Sequence, residues 1–148
     1  MGHLIHYREL DLLFFMYCNT YVLWCIMYSM KWTITFHDDF DEEVEKMDTA
    51  LQDALYANVR VLEEFGPQLG RPKADTLYGS QHSNMKELRF NHDGGVWRVA
   101  YAFDPKRNGI LLVAGDKDGA DQKLFYKQLI DTADQRFSLH LKEQKAEK

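Results

Sequence analysis

Trp32-Thr33-Ile34-Thr35-Phe36 sets large apolar side chains against threonines, the period of two expected of a half-buried strand. From Phe40 onward the period changes. Phe40, Val44 and Met47, then Leu51, Leu55, Val59 and Leu62, recur at three- and four-residue steps and form one helical stripe. Thr49 with Gln52 three residues on has the form of a capping box, so a short helix followed by a longer one is predicted, stopped by Gly66-Pro67. No period runs through GRPKADTLYGSQHSNM, residues 70–85, which reads as a loop long enough to carry function. Three strands are predicted next, at about 87–91, 96–104 and 109–116, with turns at 92–95 and 105–108. An amphipathic helix over about 121–144 closes the chain, with Phe125, Leu129, Ala133 and Phe137 at four-residue steps. The order β-α-α-β-β-β-α predicts an α+β domain with helices packed on one face of an antiparallel sheet.

If residues 92–95 form the hairpin loop, Asn91 faces Val96, Phe90 faces Trp97, Arg89 faces Arg98 and Leu88 faces Val99. A slip of one residue would turn every side chain over, so this register alone keeps the faces consistent. Leu88, Phe90, Trp97, Val99, Tyr101 and Phe103 then make the core face. Arg89 and Arg98 stand side by side on the other face, near Ala100 and Ala102, whose small side chains would leave a shallow concavity. Directly opposed like charges are destabilising. Two readings are open at this point: an anion site, or two surface arginines each paired with a carboxylate such as Glu87.

Charge is unevenly distributed. The 148 residues carry a net charge of −5, which argues mildly against general coating of nucleic acid. Residues 30–65 hold three Lys/Arg against ten Asp/Glu, whereas residues 66–115 hold seven against four. A local basic site therefore survives the acidic total. The acids of the first segment lie mainly off its apolar stripe, as a solvated helix face or a docking surface for a basic partner. Length and composition, 45% hydrophobic and 28% charged, are those of one globular domain. Both cysteines, Cys18 and Cys25, precede Met30, so neither a disulfide framework nor a thiolate metal site is expected beyond it, and a reducing cytoplasm is the natural compartment.

Residues 10–29, LDLLFFMYCNTYVLWCIMYS, differ in composition from the rest. A membrane span wants about 20 apolar residues, and Asp11, Asn19 and Thr20 interrupt this run; no basic leader or cleavage site marks a secretory signal. A weak membrane helix, a packed extra helix and an extension upstream of the true start at Met30 are the three readings. The last makes residues 30–148 the domain, with no obligatory membrane.

Lys117 falls just past the third strand of the meander, and Tyr126 falls in the first turns of the last helix, near Lys123 and Lys127. A tyrosine beside cations would have a lowered pKa and could carry a proton. Core packing beside Phe125 is the other reading of Tyr126.

In order and spacing, EFGPQLGRP (64–72), GSQHSNMKELRF (79–90), VWRVAYAFDPKR (96–107), LLVAGDK (111–117) and FYKQLIDTADQRF (125–137) resemble the RelE/ParE toxin superfamily, in its HigB-like, phage-related branch. The resemblance runs from Met30 to about Leu141. It implies a RelE-like fold and the toxin of a type II toxin–antitoxin module. It further implies endonucleolytic cutting of mRNA in the ribosomal A site without metal or cofactor, by attack of the RNA 2′-hydroxyl on the adjacent phosphate. The catalytic residues it implies are Arg98 on the phosphate, Lys117, Tyr126 and Arg89. Lys86, His82, Lys73, Lys123 and Lys127 are the candidate RNA-binding residues, with His82 or His92 able to stand in as acid or base and His37 structural or exposed. Where relatives carry the second lysine of a K-x-K strand start, this chain has Glu87, which cannot act as a cation. A helix-turn-helix, HigA-like antitoxin is the implied partner, and operator DNA is reached through that complex. The alternative within the superfamily is a ParE-like toxin that poisons gyrase by binding alone; a co-repressor that binds only antitoxin and DNA is the third option.

Overall fold

The computed structural model of the chain describes Val22, Leu23 and residues 30–148. The apolar leader, with its three readings, lies outside the described residues except for Val22 and Leu23. The chain divides into two units, Met1–Lys31 and Trp32–Lys148, and the second carries all the elements that follow.

These are β1 (Ile34–Phe36), α1 (Asp38–Glu45), α2 (Thr49–Phe65), a 3-10 turn (Gly66–Gln68), β2 (Ala74–Thr76), β3 (Lys86–His92), β4 (Gly95–Phe103), β5 (Gly109–Asp116) and α3 (Gln122–Ala146). His37 caps α1, its Nδ1 accepting from the Asp39 amide at 3.3 Å, and acids fill the first turn, where the helix dipole favours them. The break between α1 and α2 falls where the pattern placed it, but the cap is Asp48, which accepts from the Leu51 amide at 2.9 Å. Gln52 instead donates to the carbonyls of Val44 and Met47, at 2.9 and 3.0 Å. Gly66 ends α2 at φ +59°, and a Cβ there would lie 2.3 Å from the Trp32 indole. Only glycine meets both demands.

The five strands run in the order β1-β5-β4-β3-β2. The α+β class stands, but two details of the expected sheet change. First, β1 runs parallel to β5, so the sheet is mixed; α1 and α2 supply the first part of the long crossover that a parallel pair requires. Secondly, the loop predicted over 70–85 contains β2, antiparallel to β3 through Ala74–Leu88, Asp75–Glu87 and Thr76–Lys86. Three residues are too few to show a period.

The hairpin register is the predicted one, with Arg89 opposite Arg98 and Phe90 opposite Trp97. The turn is tighter than expected. His92 pairs with Gly95, leaving Asp93 (φ +47°) and Gly94 (φ +75°) as a two-residue turn of the kind that matches strand twist.

Helices cover both faces of the sheet. α1 and α2 pack Phe40, Val44, Leu55, Val59 and Leu62 against Leu88, Val99, Tyr101 and Leu111, which is the expected arrangement. α3 lies over the opposite face, where Leu129, Ala133 and Phe137 cover Ala100, Ala102, Ile110 and Leu112. The alanines thus form the floor under a helix rather than an open concavity, because only small side chains let α3 approach the strands. The far end of α3 is tied down by Asp104, which accepts from His140 (3.0 Å) and Gln144 (2.8 Å). Arg136 donates to the Leu112 carbonyl at 2.8 Å and pairs with Glu43 of α1.

Candidate active site

The part of the second face that α3 leaves uncovered carries the arginine pair. Alternation along β3 places Glu87 on the same face, two residues before Arg89 and paired with Ala100 across the strands. Its carboxylate is 5% exposed. Oε1 lies 3.8 Å from the Nε of Arg89 and 3.8 Å from the Nε of Arg98, and the Tyr126 hydroxyl reaches the same oxygen at 3.5 Å. One buried carboxylate therefore relieves the repulsion that the register creates. This is the second of the two readings in part, since Glu87 is shared, and Arg89 also approaches Asp75 at 3.8 Å.

The sharing is incomplete. Among the described residues neither Glu87 Oε2 nor Arg98 Nε has a hydrogen-bond partner. Arg98 is 5% exposed and donates through a terminal nitrogen to the Trp97 carbonyl at 2.9 Å. A buried guanidinium with a free donor is costly unless a ligand completes it. Burial pushes the Glu87 carboxyl above its ordinary value, against the pull of the Tyr126 hydroxyl and of Arg98 and Arg89.

Tyr126 arrives from the first turns of α3. Asp121 caps that helix, accepting from the Leu124 amide at 2.7 Å. Phe125 lies over Gly115, the β5 residue paired with Arg98, where a Cβ would sit 2.8 Å from the ring. Gly115 thus sets how closely this end of α3 approaches the arginines. Lys117 stands over the Tyr126 ring, 5.6 Å from its centroid. The expected lowering of the tyrosine pKa is reversed: burial first, then the charge of Glu87, raises it above its ordinary value. Its hydroxyl meets the Glu87 carboxylate rather than a lysine, so the phenol stays protonated and donates.

Arg89, Arg98, Lys117 and Tyr126 are therefore brought together, and Glu87 joins them. The candidate RNA-binding residues scatter. Lys86 points to the other face, opposite Tyr101, and donates to the carbonyls of Pro67 (3.0 Å) and Leu69 (2.8 Å). It closes the 3-10 turn. His82 contacts Ser138 at 2.9 Å and sits edge-on to Phe137. Those residues lie 11–12 positions beyond Tyr126, roughly 17 Å along the helix. The loop around it is pinned to α3, with Ser80 and the Gln81 amide on Asp134. His92 ends β3 at the hairpin turn. Lys123 and Lys127 are exposed on α3, and Lys127 pairs with Asp131 at 2.9 Å. Lys73 reaches Asn58 at 3.2 Å and lines a cleft of about 500 Å³ together with Arg71, Arg89, Asn91 and Arg98. Arg71 and Asp75 were not singled out by sequence, because their loop has no pattern. Glu87 was legible by alternation, but its burial was not.

Residues 42–138 match the family model described as "Phage derived protein Gp49-like". The chain belongs to this family. Two proteins of Mycobacterium tuberculosis named as toxins are similar to it. HigB2 is 44% identical over 96 residues, 64% of this chain and 47% of HigB2. HigB3 is 44% identical over 98 residues, 64% of this chain and 83% of HigB3. The chain thus spans about half the length of one of these relatives and most of the other. The solved structure of an Escherichia coli toxin RelE double mutant aligns with a TM-score of 0.48 and 12% identity, over 68% of this chain and 95% of RelE. Among the described residues no helix is long and apolar enough to cross a membrane.

Proposed function

We propose that this Gp49-like chain is the toxin of a toxin–antitoxin pair and an endoribonuclease acting on mRNA at the ribosome, held in check by a helix-turn-helix antitoxin. The observation that carries the reading is the buried Arg98, its Nε without a hydrogen-bond partner among the described residues, set beside Arg89, Glu87 and Tyr126 on the uncovered part of the sheet. The names of the 44% identical relatives supply the toxin part of the reading.

In the proposed reaction Arg98 and Arg89 hold the non-bridging oxygens of the scissile phosphate and stabilise the charge that builds there. The 2′-oxygen attacks phosphorus and its proton passes to the Glu87 carboxylate, which burial makes a stronger base than an exposed glutamate. The bond to the 5′-oxygen breaks, and the protonated Tyr126 phenol supplies that oxygen with its proton. The products are a 2′,3′-cyclic phosphate and a 5′-hydroxyl. Glu87 then returns its proton to the Tyr126 phenolate across the 3.5 Å contact between them, while Lys117 over the ring favours the transient phenolate.

Induced expression of the full chain, with mapping of mRNA 5′ ends, tests the reading. Codon-phased cuts with 5′-hydroxyl ends are expected alongside growth arrest. Arg98→Ala is expected to lower the cleavage rate by about 10²–10³ and to restore growth, and Tyr126→Phe to restore growth by removing the proton donor. Arrest with DNA-damage signalling and intact mRNA would replace this reading with gyrase poisoning.

A further inference from the structure

The cleft beside the reacting centre extends past Arg98 to residues that the proposed chemistry does not use. β2 pairs with β3 only from Lys86 to Leu88, so the outer edge of β3 is open at Phe90 and Asn91. The segment Arg71–Lys73 closes on this edge through one backbone bond, from the Arg89 amide to the Lys73 carbonyl at 2.8 Å. Between them lies the cleft of about 500 Å³, within the roughly 300–1,000 Å³ of small-ligand sites.

Its lining holds four cations, Arg71, Lys73, Arg89 and Arg98. The carboxylates in contact with these cations are Asp75 and Glu87. Arg71 is oriented by Asp75, which accepts from its Nε at 2.8 Å. Lys73 touches only the neutral Asn58 oxygen, with no carboxylate in ion-pair range among the described residues. The excess among the described residues is two positive charges, and Arg98 lines the same space. Asn91 adds an exposed side-chain amide on the arginine face, and Pro72 adds an apolar ring. Cations for phosphate, an amide for a base edge and an apolar surface under the ring are what an unstacked nucleotide requires.

We infer that this cleft seats the nucleotide adjoining the scissile phosphate. Arg71 and Lys73 take its own phosphate, Asn91 reads its base, and Arg89 and Arg98 span the junction with the reacting centre. The inference rests on the RNA-cutting reading above, and it assigns base preference to Asn91 rather than to a catalytic residue.

The test is equilibrium binding of the full chain to a trinucleotide that is 2′-O-methylated throughout and so cannot be cut, alongside inorganic phosphate. The double variant Arg71→Ala/Lys73→Ala is expected to weaken the trinucleotide about tenfold or more, as loss of a charge-assisted contact does. It should lower the salt-dependence slope by about 0.7 for one lost phosphate. Asn91→Ala, which removes no side-chain hydrogen bond among the described residues, is expected to flatten the preference among trinucleotides that differ in one base. Arg98→Ala is expected to weaken the binding of both ligands. If the double variant keeps wild-type affinity and slope while Arg98→Ala weakens binding, the subsite is refuted and the RNA-cutting reading survives. If Arg98→Ala binds both ligands as wild type does, the reacting centre is misplaced even where the double variant behaves as expected. Failure of the wild type to bind the trinucleotide at millimolar concentration overturns the subsite outright. A melting curve for each variant separates lost contacts from lost fold.

Discussion

The two faces of the sheet solve different problems with the same strands. On the face under α1 and α2, large side chains interlock: Phe40, Leu55, Leu62, Leu88 and Tyr101 are each at most 1% exposed. On the other face β4 carries alanines where α3 lies, and the strands carry arginines with a glutamate where it does not. The first face stores stability by excluding water from apolar surface. The second gives some up, since it buries Glu87 and Arg98 with polar atoms left over. Local disagreement with packing rules of this kind is expected at a functional site.

Substitutions on each face can break this division. Phe40→Ala should have the largest effect on the closed face, destabilising the fold by about 3–5 kcal/mol in urea unfolding. Cleavage per folded molecule should stay unchanged; a loss of specific activity in the folded fraction would mean that the faces are not separable. Gly115→Ala puts a Cβ against the Phe125 ring and should displace Tyr126 from Glu87. A shift of this kind can cost up to about 10² in rate, with only a small change in melting temperature. Wild-type cleavage by this variant would remove Gly115 from the positioning of the site.

Glu87→Gln should separate stability from activity through pH. Because folding raises the Glu87 pKa, the native state favours the protonated carboxyl. The wild type therefore keeps the full contribution of this group below the ordinary carboxylate value and loses it as pH rises through the folded value. Glu87→Gln should melt close to the wild type in acid, melt higher at neutral pH, and cut RNA poorly throughout. A wild-type advantage at neutral pH would mean that the charged carboxylate is needed to hold the arginines. Tyr101→Phe is the smallest change. The Tyr101 hydroxyl is fully buried and has no partner among the described residues, and burial raises its pKa. Its removal should leave cleavage intact and raise stability by about 1 kcal/mol, read from the same unfolding curves.

Much of this was written in local pattern. The hairpin register follows from one alternation and one turn, which together set Arg89 opposite Arg98. The stripe of Leu129, Ala133 and Phe137 correctly identified the buried side of α3, but not which face of the sheet it covers. Lys86 and His82 show the limit from the other side. As residue types they fit an RNA site, yet one is spent on the carbonyls of a turn and the other on a serine far along α3.

Sequence alone determined every α-helix and every strand but β2, the inner and outer sides of each, and the direct opposition of the two arginines, because side-chain period is a property of a strand or helix by itself. It also supplied Tyr126 and Lys117 as companions through a family resemblance. Tertiary structure decided that α3 lies over Ala100 and Ala102, that Glu87 is enclosed between the guanidiniums, and that Tyr126 donates to that glutamate with its pKa raised rather than lowered. Those outcomes depend on which distant surfaces meet and how much water they exclude. A pKa or a free donor is set by that enclosure, which no local period encodes.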